Sequence, residues 1–408
     1  MSKLLTKIPL LGFLLGISSP ALAVDFHFDG YADFRLIVPS NQESWQNGLM
    51  GKLRYGAEDN KPDARLAEAV GQAVVLVTPE LMGLAVARIE PEQRTFFDIL
   101  EAYVRYRPVS TTPWRWSVKA GAFFPPVSLE NTEIGWTSPW TLTPSAVNTW
   151  VGEELRTIGV EGMLEWRSEE RTISAMASIF GWNDPAGVLV ADRGWALHDR
   201  VTGLIDRPRE PDAIAYALHV AEPLYTYEVL EIDDRPGWYA AGSWDETGLG
   251  KVNFIYYNNE ADPTAVRKQI AWRTNFWDVG VSTQIGNVTL LAQGLTGETL
   301  IVPSPSFYSD TYFNAGYLLA GWNVSDSWRI AGRVDVFSNN ELRPFGPGAL
   351  SEHGNAVTLA VNYLPYDWLR VTAEAIRVDS TRRQRTVESL NPHAIENQFQ
   401  LSARFYLP

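Results

Sequence analysis

Apolar and polar side chains alternate with a period of two along most of this 408-residue chain. Over residues 26–38, phenylalanine, leucine and valine occupy one face, whereas histidine, aspartate, tyrosine and arginine fall on the other. Residues 397–408 end the chain with the same division. A helix would scatter these side chains around its axis, so the period predicts β-strands from one end of the chain to the other.

The connections between these segments also follow a pattern, because tight turns alternate with long polar stretches along the chain. Seven tight turns begin with residues 79–83 and end with residues 365–367. Eight longer connections include residues 39–63, 124–153 and 183–236, and residues 299–310 are expected to form another. This arrangement predicts sixteen antiparallel strands with both chain ends on the same side.

A lipid bilayer gives this arrangement a physical cause. Every backbone N–H and C=O group in the hydrocarbon must be paired, so a sheet can cross only when it closes and leaves no edge. The sequence therefore predicts an all-β fold, a transmembrane antiparallel barrel in which residues 397–408 pair with the first strand. Tryptophans beside the tight turns, such as Trp114, Trp328 and Trp368, fit the headgroup level. A soluble β-sandwich with shorter strands remains the alternative fold.

The first 23 residues have the features of a secretory signal peptide. Lys3 and Lys7 precede an apolar run over residues 8–17, and Ala21-Leu22-Ala23 offers a cleavage site. Residues 24–408 are then expected to form a single barrel domain. They contain no stretch of 18 apolar residues, which excludes a helical membrane protein.

Composition excludes several classes of function. The chain has no cysteine, which argues against a disulfide framework, and its formal charge of −14 argues against nucleic-acid binding. Its five histidines lack zinc-ligand spacing and are expected to be solvated or to face the lumen, so no metal or cofactor is predicted. No nucleophile elbow or phosphate-binding loop is present, and the chain is not expected to be an enzyme. An outer-membrane hydrolase that assembles Ser, His and Asp from separate strands remains an alternative.

Face parity places many charged side chains on the inner wall of the predicted barrel. Eleven cations against ten carboxylates leave the sign of any ion preference open. The candidate pore-lining residues are Arg35, Arg105, Lys119, Arg329, Arg333, Asp335, Arg370, Glu374 and Arg404.

The connection over residues 124–153 is too long for a hairpin and rich in aromatic residues, which is typical of a functional loop. We expect it to fold into the lumen and narrow the passage, with Glu130, Glu133, Trp136 and Trp140 at the constriction. An extracellular cap is the alternative.

The connection over residues 183–236 mixes charges, and a short helix is predicted near residues 212–221. Its charged residues either line an entrance or form a solvated surface, and we favour the surface. The charged residues concerned are Asp192, Arg193, Asp199, Arg200, Arg207 and Arg209.

Several segments together resemble the sixteen-stranded bacterial outer-membrane porins, in particular the phosphate-selective porins of the O and P type. The likeness lies in "IGWTSPWTLTPSAVNTWVGEELR" (134–156), "FGWNDPAGVLVADRGWALHDR" (180–200), "RPGWYAAGSW" (235–244) and "AWRTNFWDVGVSTQ" (271–284). The resemblance implies a homotrimeric passive channel in the outer membrane of a Gram-negative bacterium, with an inward-folded third loop. Two departures are a shortage of lysines after residue 23 and a final Pro408 where the family usually ends in phenylalanine.

The sequence thus favours a porin that lets small hydrophilic solutes or ions diffuse through a water-filled channel, without making or breaking bonds. Outer-membrane lipid and identical subunits are its expected partners. The main alternative is a substrate-specific channel for an anion, a sugar or an aromatic acid. In that case Trp136, Trp140 and Trp150 would form an aromatic slide.

Overall fold

The computed structural model describes residues 24–56, 61–212, 223–342, 351–386 and 389–407. The predicted signal peptide and nearly all of the helix predicted near residues 212–221 lie outside these ranges. Within the described ranges, no helix is both long and apolar enough to cross a membrane.

Sixteen strands in the described ranges form one closed antiparallel barrel, in which each strand pairs with its neighbours along the chain. The strands are β1 (Asp25–Val38), β2 (Asp63–Leu76), β3 (Leu81–Ile89), β4 (Phe97–Tyr106), β5 (Trp114–Phe123), β6 (Thr157–Arg167), β7 (Arg171–Gly181), β8 (Gly237–Glu246), β9 (Gly250–Asn258), β10 (Arg273–Ile285), β11 (Val288–Ser304), β12 (Phe307–Ser325), β13 (Trp328–Leu342), β14 (Glu352–Tyr366), β15 (Leu369–Arg382) and β16 (His393–Tyr406). Within the same ranges, the connections contain the α-helices α1 (Ala146–Glu154) and α2 (Val188–Asp192). Short 3₁₀ turns cover Trp45–Asn47 and Arg383–Thr386.

The last strand closes the barrel, as predicted. It pairs with β15 on one side and with β1 on the other, where Tyr31 lies opposite Tyr406 and Val38 lies opposite Phe399. The closed sheet therefore presents no unpaired edge to the bilayer. The single closed sheet also rules out the alternative of a β-sandwich.

The two faces of the wall differ as the period of two predicts. On β1, Phe34 is 49% exposed and points outward, whereas the adjacent Asp33 and Arg35 are buried on the inner face. On β12, Leu318 points outward whereas the adjacent Leu319 is buried inside. Apolar side chains thus cover the outside and polar side chains line the inside, which is the distribution that a lipid-embedded barrel requires.

All seven predicted tight turns connect strands at the expected positions. In the two-residue turn between β10 and β11, Gly286 has a φ of +58°, a conformation that favours glycine. The prediction of a long connection at residues 299–310 is wrong, because β11 continues to Ser304 and β12 begins at Phe307. Polar residues such as Thr299 and Thr311 caused the error, since they belong to the buried inner face of two long paired strands.

Aromatic side chains cluster on the outer surface near both ends of the strands. Trp328 stacks on Tyr363 at the tight-turn end, with ring centroids 4.5 Å apart. At the long-loop end, the Tyr256 ring lies 5.2 Å from Trp238 and 4.6 Å from Trp277. Two such bands match the girdles that mark the two headgroup levels of a membrane barrel.

A lysine substitution on the outer face of β13 tests this orientation. Val334 lies in the apolar band, so Val334→Lys should destabilise the folded barrel by about 2–4 kcal/mol in lipid vesicles. Reversible unfolding by urea in vesicles measures the loss. The matched control is Asn340→Lys on the same face, beyond the apolar band, where about 0–1 kcal/mol is expected. Equal costs at the two positions would contradict the proposed lipid-facing band.

Candidate functional site

Three long connections at one end of the barrel cover the inner wall. We call them L1 (residues 39–62), L3 (residues 124–156) and L4 (residues 182–236), of which residues 57–60 and 213–222 are not described. Leu53 of L1 forms a β-bridge with Leu197 of L4, and both side chains are fully buried. L1 and L4 are therefore in direct contact with each other at this end of the barrel.

Arg333 on β13 is the main contact between the wall and L3. Its guanidinium lies 2.7 Å from the Glu130 carboxylate and 2.8 Å from the Asp335 carboxylate. It also donates to the backbone carbonyls of Thr143 at 2.7 Å and Pro144 at 2.9 Å. These groups are all buried, so the arginine has the paired and hydrogen-bonded surroundings that a buried charge needs.

Carboxylates on the wall bind backbone N–H groups of L3. Glu374 accepts hydrogen bonds from the N–H of Leu142 at 2.6 Å and of Thr143 at 3.1 Å. Asp335 accepts one from the N–H of Ala146 at 3.0 Å, in the first turn of α1. A negative charge there is favourable because the first N–H groups of a helix have no partner within the helix. The predicted pore residues on β13 and β15 thus hold L3 in place.

Aromatic residues of L3 pack against the wall. The Trp140 ring lies against Gly321 of β12, where a Cβ atom would come within 2.4 Å of the ring, so only glycine leaves room. Asn362 donates to the Trp140 carbonyl at 2.9 Å. Trp150 is also buried, with its ring 5.0 Å from that of Phe313. Two of the three tryptophans of the predicted slide are therefore packing residues, and solvent barely reaches them.

A closed ring of ion pairs connects the wall to L1 and L4. It contains four arginines and four carboxylates in strict alternation, all of them buried: Asp33, Arg35, Asp199, Arg54, Glu90, Arg88, Glu68 and Arg404.

One half of this ring reaches from β1 into the connections. Arg35 lies 2.9 Å from Asp33 and 2.6 Å from Asp199 of L4. The other oxygen of Asp199 lies 2.9 Å from Arg54 of L1, whose guanidinium lies 2.6 Å from Glu90. Asp199 and Arg54 are therefore the two points at which L4 and L1 join the wall network.

The other half returns along the wall from β3 to β16. Arg88 lies 2.5 Å from Glu90 and 2.9 Å from Glu68. Arg404 lies 3.4 Å from Glu68 and 2.9 Å from Asp33, which closes the ring. Each buried charge has two neighbours of opposite sign, and this compensates for much of the cost of removing the charges from water.

The Asp199 carboxylate is strongly held in its ionised form. Burial alone would raise its pKa, but the guanidinium groups of Arg35 and Arg54 hold that pKa well below its usual range. A carboxylate whose pKa is lower in the folded than in the unfolded state stabilises the fold at any pH above its unfolded-state pKa. This contribution to stability is lost only as the pH falls through the folded-state pKa. The contact between L4 and the ring therefore persists in mildly acidic conditions.

Further buried charges connect L3 with L4. Arg193 lies 2.7 Å from Glu153. The adjacent Glu154 accepts hydrogen bonds from the N–H groups of Gly187 at 2.5 Å and Val190 at 2.7 Å. The carboxylates of α1 thus hold L4 around α2.

L4 also corrects two sequence predictions. His198 is buried, with its ring 4.6 Å from that of Trp45, so it is neither solvated nor lumen-facing. Burial lowers its pKa despite the nearby Glu153 carboxylate. The prediction of a solvated surface is wrong for four of the six charged residues concerned, since Asp192, Arg193, Asp199 and Arg200 are buried.

The predicted pore-lining residues fall into two groups. Arg35, Arg333, Asp335, Arg370, Glu374 and Arg404 are buried on the inner wall. Arg105, Lys119 and Arg329 are half-exposed, and Arg105 and Arg329 lie near tight turns. Solvent therefore reaches the second group more freely than the first.

The predicted constriction residues are likewise divided. Glu130 and Trp140 are buried, whereas Glu133 and Trp136 are half-exposed. Glu133 lies 2.9 Å from Arg370 of β15. Sequence reasoning missed Arg54 as a partner of the wall network, because nothing in a polar loop indicates which strand it will contact.

The hydrolase alternative requires a hydroxyl group beside His27 or His393. His27 lies 3.2 Å from Asp25, and His393 lies 2.9 Å from Asp379. Among the contacts of the described residues, neither imidazole is hydrogen-bonded to a serine or tyrosine hydroxyl.

One group of carboxylates in the described ranges has oxygen atoms within 4.8 Å of one another: Asp184, Glu231 and Asp233 of L4. Backbone N–H groups already donate to this group. Ile232 donates to Asp184 at 2.5 Å, and Asp234 donates to Glu231 at 2.9 Å. These contacts account for the arrangement as loop structure.

Comparison with known proteins supports the fold. No protein-family model matches the sequence, and no curated protein matches it. Among solved structures, an anion-selective porin from Comamonas acidovorans matches with a TM-score of 0.54 and 8% identity, over 94% of this chain and 100% of that one. The outer-membrane channel DcaP of Acinetobacter baumannii matches with a TM-score of 0.52 and 10% identity, over 95% and 99%. A loop-deletion mutant of OmpT, an outer-membrane protein of Vibrio cholerae, matches with a TM-score of 0.52 and 12% identity, over 94% and 100%.

These matches confirm the sixteen-stranded outer-membrane barrel, and the expected location in the outer membrane agrees with them. At such low identity the likeness concerns the fold alone. The narrower resemblance to the phosphate-selective O and P type stays a prediction.

Removing the charge of Asp199 should release L4. Asp199→Asn leaves Arg35 and Arg54 short of one buried carboxylate, and breaking such a pair costs about 3–5 kcal/mol. We expect trypsin to cleave after Arg193 or Arg200 at least about tenfold faster, because proteolysis follows the population of the released state. Mass spectrometry of the detergent-solubilised protein identifies the sites.

Asp234→Asn is the matched control in the same loop. Asp234 is exposed and has a φ of +62°, which asparagine tolerates. It should leave the cleavage rate unchanged. Cleavage of Asp199→Asn at the wild-type rate would show that the ring does not hold L4.

Proposed function

We propose that this protein is a channel of the bacterial outer membrane, through which small hydrophilic solutes or ions diffuse passively. The observation that carries the proposal is the polar inner face of a closed sixteen-stranded barrel whose outer face is apolar. A wall of this kind separates water from lipid and provides a route across the bilayer. No covalent step is part of this function.

Charged side chains toward the tight turns support a water-accessible vestibule at that end. Lys251 of β9 joins Arg105, Lys119 and Arg329 as half-exposed cations on the inner wall. Lys119 lies 3.0 Å from Glu161, so its charge is partly compensated. Charges at such positions act on permeating ions because they remain near water.

We further propose that L3 narrows the passage within the barrel. Its support is the set of bonds to Arg333, Asp335 and Glu374, which all lie on the inner face. The buried ring adds L1 and L4 to the same end of the lumen. Solute flow on this proposal passes through what these three connections leave open.

Two finer points belong to the same proposal. We propose a homotrimer embedded in outer-membrane lipid, as the resemblance to porins implies. A substrate-specific channel remains the second form of the function, although an aromatic slide receives little support from the buried Trp140 and Trp150.

Reversal potentials in a planar bilayer test the channel. Arg105→Glu replaces a half-exposed inner cation by an anion, so the reversal potential in a salt gradient should shift toward cation preference. Arg377→Glu places the same change on the outer face of β15 and should cause no shift. Purified protein that gives no conductance steps would overturn the channel itself, whereas equal shifts in both variants would overturn the assignment of the inner face.

A further inference from the structure

A cavity of about 400 Å³ lies between L3 and the inner wall formed by β2, β3 and β4. Gln72, Glu101 and Tyr103 line it from the wall, and Asn131, Glu133 and Trp136 line it from L3. Its volume is within the range of small-molecule sites. Arg333, Asp335 and Glu374, which hold L3 to β13 and β15, are not among the residues that line this cavity.

Part of the cavity surface is aromatic and firmly positioned. The Phe124 and Trp136 rings stack with centroids 4.0 Å apart and an angle of 17° between the planes. The Arg156 guanidinium lies 3.7 Å from the centroid of the Phe124 ring. The Trp136 indole N–H donates to the Asn148 carbonyl at 2.9 Å. Stacking and this hydrogen bond fix an apolar surface on which a flat or hydrocarbon group can lie.

One polar residue of the cavity lining has a hydrogen-bond acceptor without a donor. Asn131 is only 8% exposed, and its amide nitrogen donates to the Trp136 carbonyl at 2.7 Å. Its side-chain oxygen has no hydrogen-bond partner among the described residues. A buried amide oxygen without a donor is costly, so Asn131, as a residue of the cavity lining, favours a ligand that donates a hydrogen bond.

Two carboxylates, Glu101 and Glu133, line the cavity together with the phenol of Tyr103. Glu133 is compensated by Arg370, at 2.9 Å. Glu101 accepts a long hydrogen bond of 3.4 Å from the N–H of Phe124 and has no ion-pair partner among the described residues. Arg156 and Lys119 are near enough to act on the Glu101 carboxylate, but neither forms an ion pair with it, so the carboxylate can still pair with a ligand.

From these features we infer that the cavity binds an organic cation, a solute with an ammonium or guanidinium group on an apolar or aromatic framework. The cation pairs with Glu101 and donates to the Asn131 side-chain oxygen, while its framework lies against the aromatic surface. This site names a solute class for the channel and, as a route for transport, rests on the proposed function. Binding itself does not depend on conduction.

Isothermal titration calorimetry on the detergent-solubilised full-length protein at pH 7 tests the site. Tyramine carries an ammonium group on a phenol ring, and 4-hydroxyphenylacetate carries a carboxylate on the same ring. We expect saturable binding of tyramine that is at least about tenfold tighter than binding of the anion, since a tenfold ratio is one modest charge interaction. Equal or tighter binding of 4-hydroxyphenylacetate would overturn the inference and assign the site to the nearby cations Arg156 and Lys119.

Glu101→Gln locates the interaction, because it keeps the shape of the side chain and removes its charge. Tyramine affinity should fall at least about tenfold. Glu165→Gln neutralises another carboxylate of the inner wall, on β6 and outside the cavity, and should leave the affinity unchanged. An unchanged affinity in Glu101→Gln would overturn the assignment. The comparison of the two ligands on the wild-type protein decides the matter even if this variant does not fold.

The two proposals fail separately. Tyramine binding without bilayer conductance would overturn the channel and keep the site. Conductance without tyramine binding would overturn the site and keep the channel.

Discussion

The pairing of the last strand with the first is the contact on which the rest of the structure depends. A strand in hydrocarbon cannot leave its N–H and C=O groups unpaired, so sixteen strands are acceptable in a bilayer only as a closed sheet. Closure then gives the sheet an outer face toward the lipid and an inner face toward the lumen. Because side chains alternate along every strand, one closed sheet produces an apolar outside and a polar inside without any further instruction.

The polar inner face carries charged side chains that need partners when they are removed from water, and the connections provide those partners. Charged residues on the inner wall would be solvated in an open tube, but L1, L3 and L4 cover many of them here. Removal from water is tolerable where a charge meets an opposite charge or a backbone dipole. Arg333 contacts two carboxylates and two backbone carbonyls. In the ring of ion pairs, each of the eight side chains lies between two side chains of opposite charge. When the connections cover the wall, they also pair its charges, because loop residues provide the hydrogen bonds and opposite charges that replace solvation by water.

The sequence reveals the barrel because the barrel is encoded locally. A period of two, a tight turn and a break in alternation can each be recognised within a few residues, and the seven turns and the face parity were predicted in this way. The one connection predicted wrongly, at residues 299–310, failed because polar inner-face residues of a strand resemble those of a loop. The lumen is not encoded locally. Lys52 pairs with Glu352, 300 residues away, and a polar loop has the same composition whether it faces water or fills a polar interior.

The alternation of signs in the ring has a consequence for how the membrane field acts on these connections. Arg54 of L1 and Asp199 of L4 touch each other, and their charges sum to zero. An electric potential does work of about 2.3 kcal/mol per elementary charge per 100 mV, but only on net charge that is displaced. A movement that carries both residues together transports none. This contact between L1 and L4 therefore gives the membrane potential no net charge to act on when the two connections move together.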